Sequence, residues 1–267
     1  MAPEFEYSPK MPYVLYNLGG VLINLLLTTL CIVIVVVYGQ QSFALAGILV
    51  NGIFALMNFL PIRSLKNDGY NTFMLARSES CKKAYYLELK MTTETLSGKT
   101  FSEMPASIFN CTVDDLKFPS VCTALYVQYC YLVSSGRTEE ATEIITQLYN
   151  RRFEMPLMHA NTVSVEYFNC LMLFQDDRVA AATTYNSFDR SIKNAIQVAP
   201  MPFVAIARIL LNALAQHDER QFNNDCMLVE KFINASRNNA EAEYNRVILN
   251  KAKERFNQSI PDPFEAL

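Results

Sequence analysis

The sequence predicts an all-α fold, a transmembrane helical hairpin followed by a cytosolic, solenoid-like α-helical repeat domain. Three observations predict it. Residues 11–62 contain no Asp, Glu, Lys, Arg or His. From about Arg77 onward the apolar residues take a helical period with polar faces between them. Three turn sequences then recur at a spacing of about 40 residues, the range of helix-pair repeats. Hydrophobic residues make up 51% of the 267-residue chain. The mean hydropathy is only +0.10, so the apolar excess is concentrated in the N-terminal quarter.

The hairpin comes first. Leu15 to Tyr38 and Ser42 to Leu60 each approach the roughly 20 apolar residues that cross about 30 Å of hydrocarbon. Gly39-Gln40-Gln41 alone separates them, so the two spans run antiparallel with both ends on one side. Basic residues are sparse before the hairpin (Lys10) and frequent after it (Arg63, Lys66, Arg77, Lys82, Lys83, Lys90). The positive-inside bias therefore puts both flanks, and both termini, in the cytoplasm of a multi-pass cell-membrane protein. An acidic, proline-bearing stretch precedes the apolar run, unlike the basic start and short apolar core of a secretory signal. Gly19, Gly20, Gly47 and Gly52 are expected to let the helices approach closely, with Asn24 and Asn51 hydrogen-bonding between them. Pro61 lacks a backbone donor and ends the second helix. Asp68-Gly69 reads as a turn or helix start, where Asp68 suits either an N-cap or a metal ligand.

The rest is helical and polar-faced. Residues 77–118 form a connecting segment: an amphipathic helix from Ser80 to Leu96, punctuation at Gly98 and Pro105, and a loop from Asn110 to Pro119. Residues 119–258 hold the repeats. Val121 to Val133 leads through Ser134-Ser135-Gly136-Arg137 into Thr138-Glu139-Glu140-Ala141. Val165 to Phe174 leads through Gln175-Asp176-Asp177-Arg178 into Val179. Phe203 to Ala215 leads through Gln216-His217-Asp218 into Glu219-Arg220. Such pairs stack because each leaves an apolar stripe that a neighbour buries; an ordinary helical bundle is the alternative. The turns are similar in kind to those of tetratricopeptide repeats, with a longer period. Lys251 to Leu267, with Pro261 and Pro263, reads as a frayed end, the tail proper being 259–267.

Charge and cysteine usage narrow the function. A net charge of −3 and no basic patch with interleaved aromatics argue against nucleic acid as a partner. The seven cysteines are scattered and form no CxxC pair, which fits reduced thiols. Cys122 and Cys130 share a helix face and read as core. His159 reads as a loop or core histidine and His217 as a solvated turn residue. No phosphate loop, serine triad signature or dinucleotide fingerprint is present.

One group of residues points further. Asn58-Phe59-Leu60-Pro61 followed by Asp68-Gly69 resembles the segment with which the site-2 protease family of intramembrane zinc metallopeptidases delivers its third zinc ligand. Asn67-Asp68-Gly69-Tyr70-Asn71 is similar to the form read in bacterial members. Tyr16 to Leu25 is similar to the family's Gly-Pro-x-x-Asn-type helix, with Gly20 in place of the proline. The match covers roughly residues 1–75, the C-terminal half of that membrane core. The resemblance implies zinc as cofactor, Asp68 as a ligand, Asn58, Pro61 and Gly69 shaping a loop that receives extended substrate, and peptide-bond cleavage at the membrane. The soluble domain would recruit a peptide or membrane-protein substrate, or a regulator.

The family's His-Glu-x-x-His, which supplies two zinc ligands and the water-activating glutamate, is missing. The chain's two histidines lie outside any such motif, and a catalytic zinc needs three protein ligands. The expected function is thus a truncated or incomplete zinc metallopeptidase, inactive as this chain alone. Met1 falls where a full-length relative would be in mid-chain, so a truncated or misassigned start is expected ahead of a remnant or half of a split enzyme. The competing reading is a non-enzymatic membrane-anchored adaptor in which Asp68 is only a cap. A subunit of a transport complex ranks below both.

Overall fold

The computed structural model describes residues 12–62, 67–215 and 218–257. Every regular element among them is helical, with no strand. The chain divides into two compact units, one of residues 4–85 and one from Tyr86 onward.

The first unit holds α1 (Tyr13–Tyr38), α2 (Ser42–Phe59), α3 (Asp68–Leu75) and the start of α4 (Glu79–Leu96). At 1.5 Å per residue, α1 and α2 are about 39 and 27 Å long. Both are long and apolar enough to cross a membrane. Their large apolar side chains point outward, Leu26 being 68% and Val36 77% exposed, while Val21, Ala44 and Ala55 lie buried. Water penalises that much exposed apolar area and lipid does not, and a helix suits lipid because it satisfies its own backbone. The break between them turns at Gly39 with φ +80°, a conformation that favours glycine.

The glycines do not act as a set. A Cβ on Gly47 would lie 2.6 Å from Cys31 Sγ, so here α2 is tight against α1. Gly19 and Gly52 have nothing within 4 Å, which corrects the expectation that all four would mediate close approach. The asparagines also differ from expectation. Asn51 donates to Gly47 O within its own helix at 2.9 Å, and among the described residues neither Asn24 nor Asn51 bonds across the seam. A helix satisfies such amides locally when its partner face offers only apolar groups. A polar tie to α1 comes from Asn17 instead: its buried amide accepts from Tyr85 Oη at 2.9 Å and donates to Tyr13 O at 2.8 Å, pinning the start of α4 to α1.

The second unit contains α5 (Pro119–Ser134), α6 (Thr138–Asn150), α7 (Leu157–Cys170, continued as a π-helical turn through Gln175) and α8 (Arg178–Ser187). It continues with α9 (Arg190–Val198), α10 (Pro202–Ala215), α11 (Glu219–Ala235) and α12 (Asn239–Asn257). Start signals in the sequence explain several boundaries. Pro119 opens α5 at a position that needs no N–H. Asp177, Asp189 and Asp218 cap α8, α9 and α11 by accepting from backbone N–H groups. The three predicted turns join α5 to α6, α7 to α8 and α10 to α11. Asp176 takes the left-handed conformation, φ +53°, that aspartate tolerates. Part of the third turn, with His217, lies outside the described residues, as do Lys10, Arg63, Lys66 and the 259–267 tail.

Four helices form the inner layer. α5 touches α7, α7 touches α10, α10 touches α12, and α12 returns to α5. Tyr129, Phe168, Leu125, Ile206 and Ile209 are fully buried there, each such side chain contributing about 1.5–3 kcal/mol. Residues 251–257, expected to fray, belong to α12, where Ala252 is buried and Phe256 stacks on Phe222 at 3.8 Å. They continue the apolar stripe of Ile248 and Leu249, and that burial outweighs end fraying.

Two buried polar nodes tie the helices of this unit together. Glu166 of α7, with no exposed surface, accepts from Tyr126 Oη of α5 at 2.8 Å and Tyr244 Oη of α12 at 2.9 Å. Asn169 Nδ2 adds a bond to Glu166 at 3.2 Å and one to Phe203 O of α10 at 3.0 Å. Burial pushes the Glu166 carboxyl above the ordinary range, and the three donors offset part of that. Arg208 of α10 pairs with Asp225 of α11 at 2.8 Å and donates to Ile196 O and Ala199 O, closing the α9–α10 turn.

Candidate functional site

The site begins where α2 stops. Leu60 leaves the helix with extended backbone, and Pro61, exposed, has no N–H to continue it. The chain re-enters a helix at Asp68, and the cap is Asn67. Its Oδ1 accepts from Tyr70 N at 3.0 Å and Ile62 N at 3.2 Å. Its Nδ2 donates to the Met57 and Leu60 carbonyls that the end of α2 leaves unpaired. One amide therefore stitches the last turn of α2 to the first turn of α3.

Asp68 is consequently not the cap, which overturns that reading of the residue. With Asn67 in the role, the Asp68 side chain is free to point sideways from the first helical turn toward α1. A Cβ on Gly20 would sit 3.8 Å from Asp68 Oδ2. Asp68 is half-buried, and its carboxylate accepts no hydrogen bond among the described residues. Burial pushes its pKa upward, against the helix N-terminus, which favours the charged form.

Gly69 fixes the approach of the two segments. It is buried, and a Cβ there would lie 2.0 Å from Phe59 O, 2.6 Å from Phe59 C and 3.0 Å from Asn58 O. Only glycine lets α3 rest on the carbonyl end of α2. The structure thus brings Asp68, Gly69 and the Asn58 backbone together and leaves Pro61 on the outside of the bend. Asn67 was missed as a functional residue; its signal was an Asn directly before Asp-Gly, where either side chain is a competent cap.

The described residues do not make a zinc site by themselves. No group of three His, Cys, Asp or Glu side chains is placed to hold a metal among them. Asp68 offers one ligand, short of the three protein ligands a catalytic zinc requires. No catalytic step through zinc follows from this chain.

The remaining candidates fall outside chemistry. His159 lies in the first turn of α7, half-buried. Cys122 and Cys130 are buried on the inner face of α5, as their spacing predicts. Burial pushes the Cys122 thiol up to about 12 and that of Cys130 well above its ordinary value, so neither is a poised nucleophile. All seven cysteines are free. Glu166 and Arg208 were the polar residues that sequence reading passed over; each is a lone charge within an apolar helical run.

No protein-family model, curated protein or solved structure matches this chain.

Proposed function

We propose that this chain supplies the aspartate-bearing half of a membrane-embedded zinc metallopeptidase of the site-2 protease type, inactive by itself. The observation that carries the reading is the Asp68 carboxylate, released from capping by Asn67 and turned toward Gly20 of α1 beside the end of a membrane-length helix. An ionisable group at such a boundary is costly to keep there without a function. In this reading Asp68 is one zinc ligand, and the two histidines and the glutamate come from a segment outside this chain. Asn58, Pro61 and Gly69 shape the bend along which extended substrate lies. The hairpin spans the cell membrane with both ends in the cytoplasm, as Arg77, Lys82, Lys83 and Lys90 after it favour. The helical unit, a helix-pair array whose last helix closes on its first, recruits a peptide or membrane-protein partner.

The competing reading is a non-enzymatic membrane-anchored adaptor, in which Asp68 binds no metal. One experiment separates the two. The tagged chain is purified from its native membranes, and zinc per chain is measured by mass spectrometry for wild type and Asp68→Asn. Zinc retained by the wild type and lost in the variant, with a co-purifying or upstream-encoded His-Glu-x-x-His segment, supports the peptidase. Equal zinc in both, or none in either, refutes it in favour of the adaptor.

A further inference from the structure

The second unit contains a cavity of 430 Å³ between α5, α7, α9 and α10, within the 300–1,000 Å³ typical of ligand sites. Its walls are largely apolar, with Val163, Val165, Ile192, Ala195, Phe203 and Val204 among the lining residues. Two methionines stand at its edge, Met158 66% and Met201 45% exposed. Unbranched thioether side chains in that position adapt to occupants of differing shape. No Asp, Glu, Lys or Arg lines it; its one imidazole is that of His159, in the first turn of α7. The cleft between α5, α6 and the 106–114 segment is different, being lined by Arg137, Glu140 and Glu143.

Polar groups complete the pattern. Thr123, Asn161 and Ser191, one from each of three helices, line the cavity, and their side chains make no hydrogen bond among the described residues. A hydrocarbon chain has no use for such groups, whereas a peptide backbone crossing the mouth offers both a donor and an acceptor to them. A charged side chain would enter with no Asp, Glu, Lys or Arg to pair with it.

We infer that this cavity is a peptide-binding site that takes an uncharged, extended segment, with one leucine- or phenylalanine-sized side chain inserted between α7 and α9. Thr123, Asn161 and Ser191 bind the backbone, and Met158 and Met201 close over the inserted side chain. The inference rests on the reading that the helical unit recruits a peptide, and it holds whether or not the hairpin carries a metal.

The test uses the full chain in lipid nanodiscs, with and without EDTA, and fluorescence anisotropy of labelled seven-residue peptides. The peptides are Gly/Ser/Ala sequences with a central Leu, Phe, Asp or Lys. A fluorescent dodecanoyl amide serves as the lipid-like probe. Leu and Phe peptides are expected to bind at least about tenfold more tightly than Asp and Lys peptides, with EDTA making no difference. Ala195→Trp fills the cavity and should weaken Leu-peptide binding at least about tenfold. Thr123→Val with Asn161→Leu removes rim hydrogen bonds at nearly constant shape and should weaken the peptide by about tenfold, which keeps the test decisive if Ala195→Trp fails to fold. Peptide binding that is unchanged in the rim variant, no binding by any peptide, or binding of the dodecanoyl amide alone would each overturn the inference. Because zinc and peptide are read separately, failure of the metal reading leaves this result interpretable.

Discussion

Replacing Gly69 by alanine tests the geometry on which the candidate site depends. The new Cβ would be 2.0 Å from Phe59 O, whereas a relaxed carbon–oxygen contact is about 3.3 Å. The end of α2 and the start of α3 must therefore separate by about 1.3 Å along that line. The obstructing atoms are main-chain carbonyls, so no rotamer change relieves the clash. The separation strains the Asn67 bridge to the Met57 and Leu60 carbonyls. Overpacking costs about 1–3 kcal/mol and each of the two strained hydrogen bonds up to about 1 kcal/mol, for a total of about 3–5 kcal/mol if both are lost. Unfolding of the full chain in mixed micelles by added dodecyl sulfate, followed by circular dichroism, reads this directly. Gly19→Ala and Gly52→Ala, which meet nothing within 4 Å, should stay within about 0.5 kcal/mol of wild type. Gly47→Ala should destabilise, and Cys31→Ala in the same chain should restore it, because there the obstacle is one removable sulfur. If Gly69→Ala unfolds at the same detergent fraction as Gly19→Ala, the close seat of α3 on α2 is wrong, and the placement of Asp68 fails with it.

Three other outcomes follow from the same geometry. Asn67→Ala should cost about 1–2 kcal/mol and speed amide exchange across residues 68–75, measured by mass spectrometry; unchanged protection there would remove Asn67 from its capping role. Burial raises the folded pKa of Glu166 above the ordinary carboxyl range, so its contribution to stability is fully present below that range and is lost as pH rises through the folded pKa; Glu166→Gln should flatten this part of the denaturation profile, and an unaltered pH slope counts against it. Arg208→Met should cost about 3–5 kcal/mol by stranding the Asp225 charge, and adding Asp225→Leu should recover most of it; thermal melts showing no recovery would mean that the pair is not the source.

Much of the architecture was readable because its signals are local. An uncharged run interrupted by Gly39-Gln40-Gln41 specifies two antiparallel helices, and Asp177 and Asp218 mark helix starts by their own hydrogen bonds. What escaped reading depends on rotation and distance. Whether Gly47 or Gly52 faces α1 is decided by how two helices turn about their axes, which residue spacing alone leaves open. Asn67 and Asp68 are equally competent caps, and the choice is made by carbonyls ten and seven positions earlier. Glu166 finds its phenols 40 and 78 positions away. A solitary carboxylate between Val165 and Tyr167 was the available clue. α9 was missed because its nine residues, Arg190–Val198, make too short a periodic pattern to stand out.

The return of α12 onto α5 governs how this unit can be made and cut. An open array of helix pairs shortens one pair at a time, each loss exposing a single face. Here removal of the last helix uncovers the first, and the Glu166 carboxylate loses Tyr244 in the same stroke. The unit cannot reach its finished state on the ribosome until the codons for Tyr244 have been translated. Until then the part of α5 that α12 covers stays exposed.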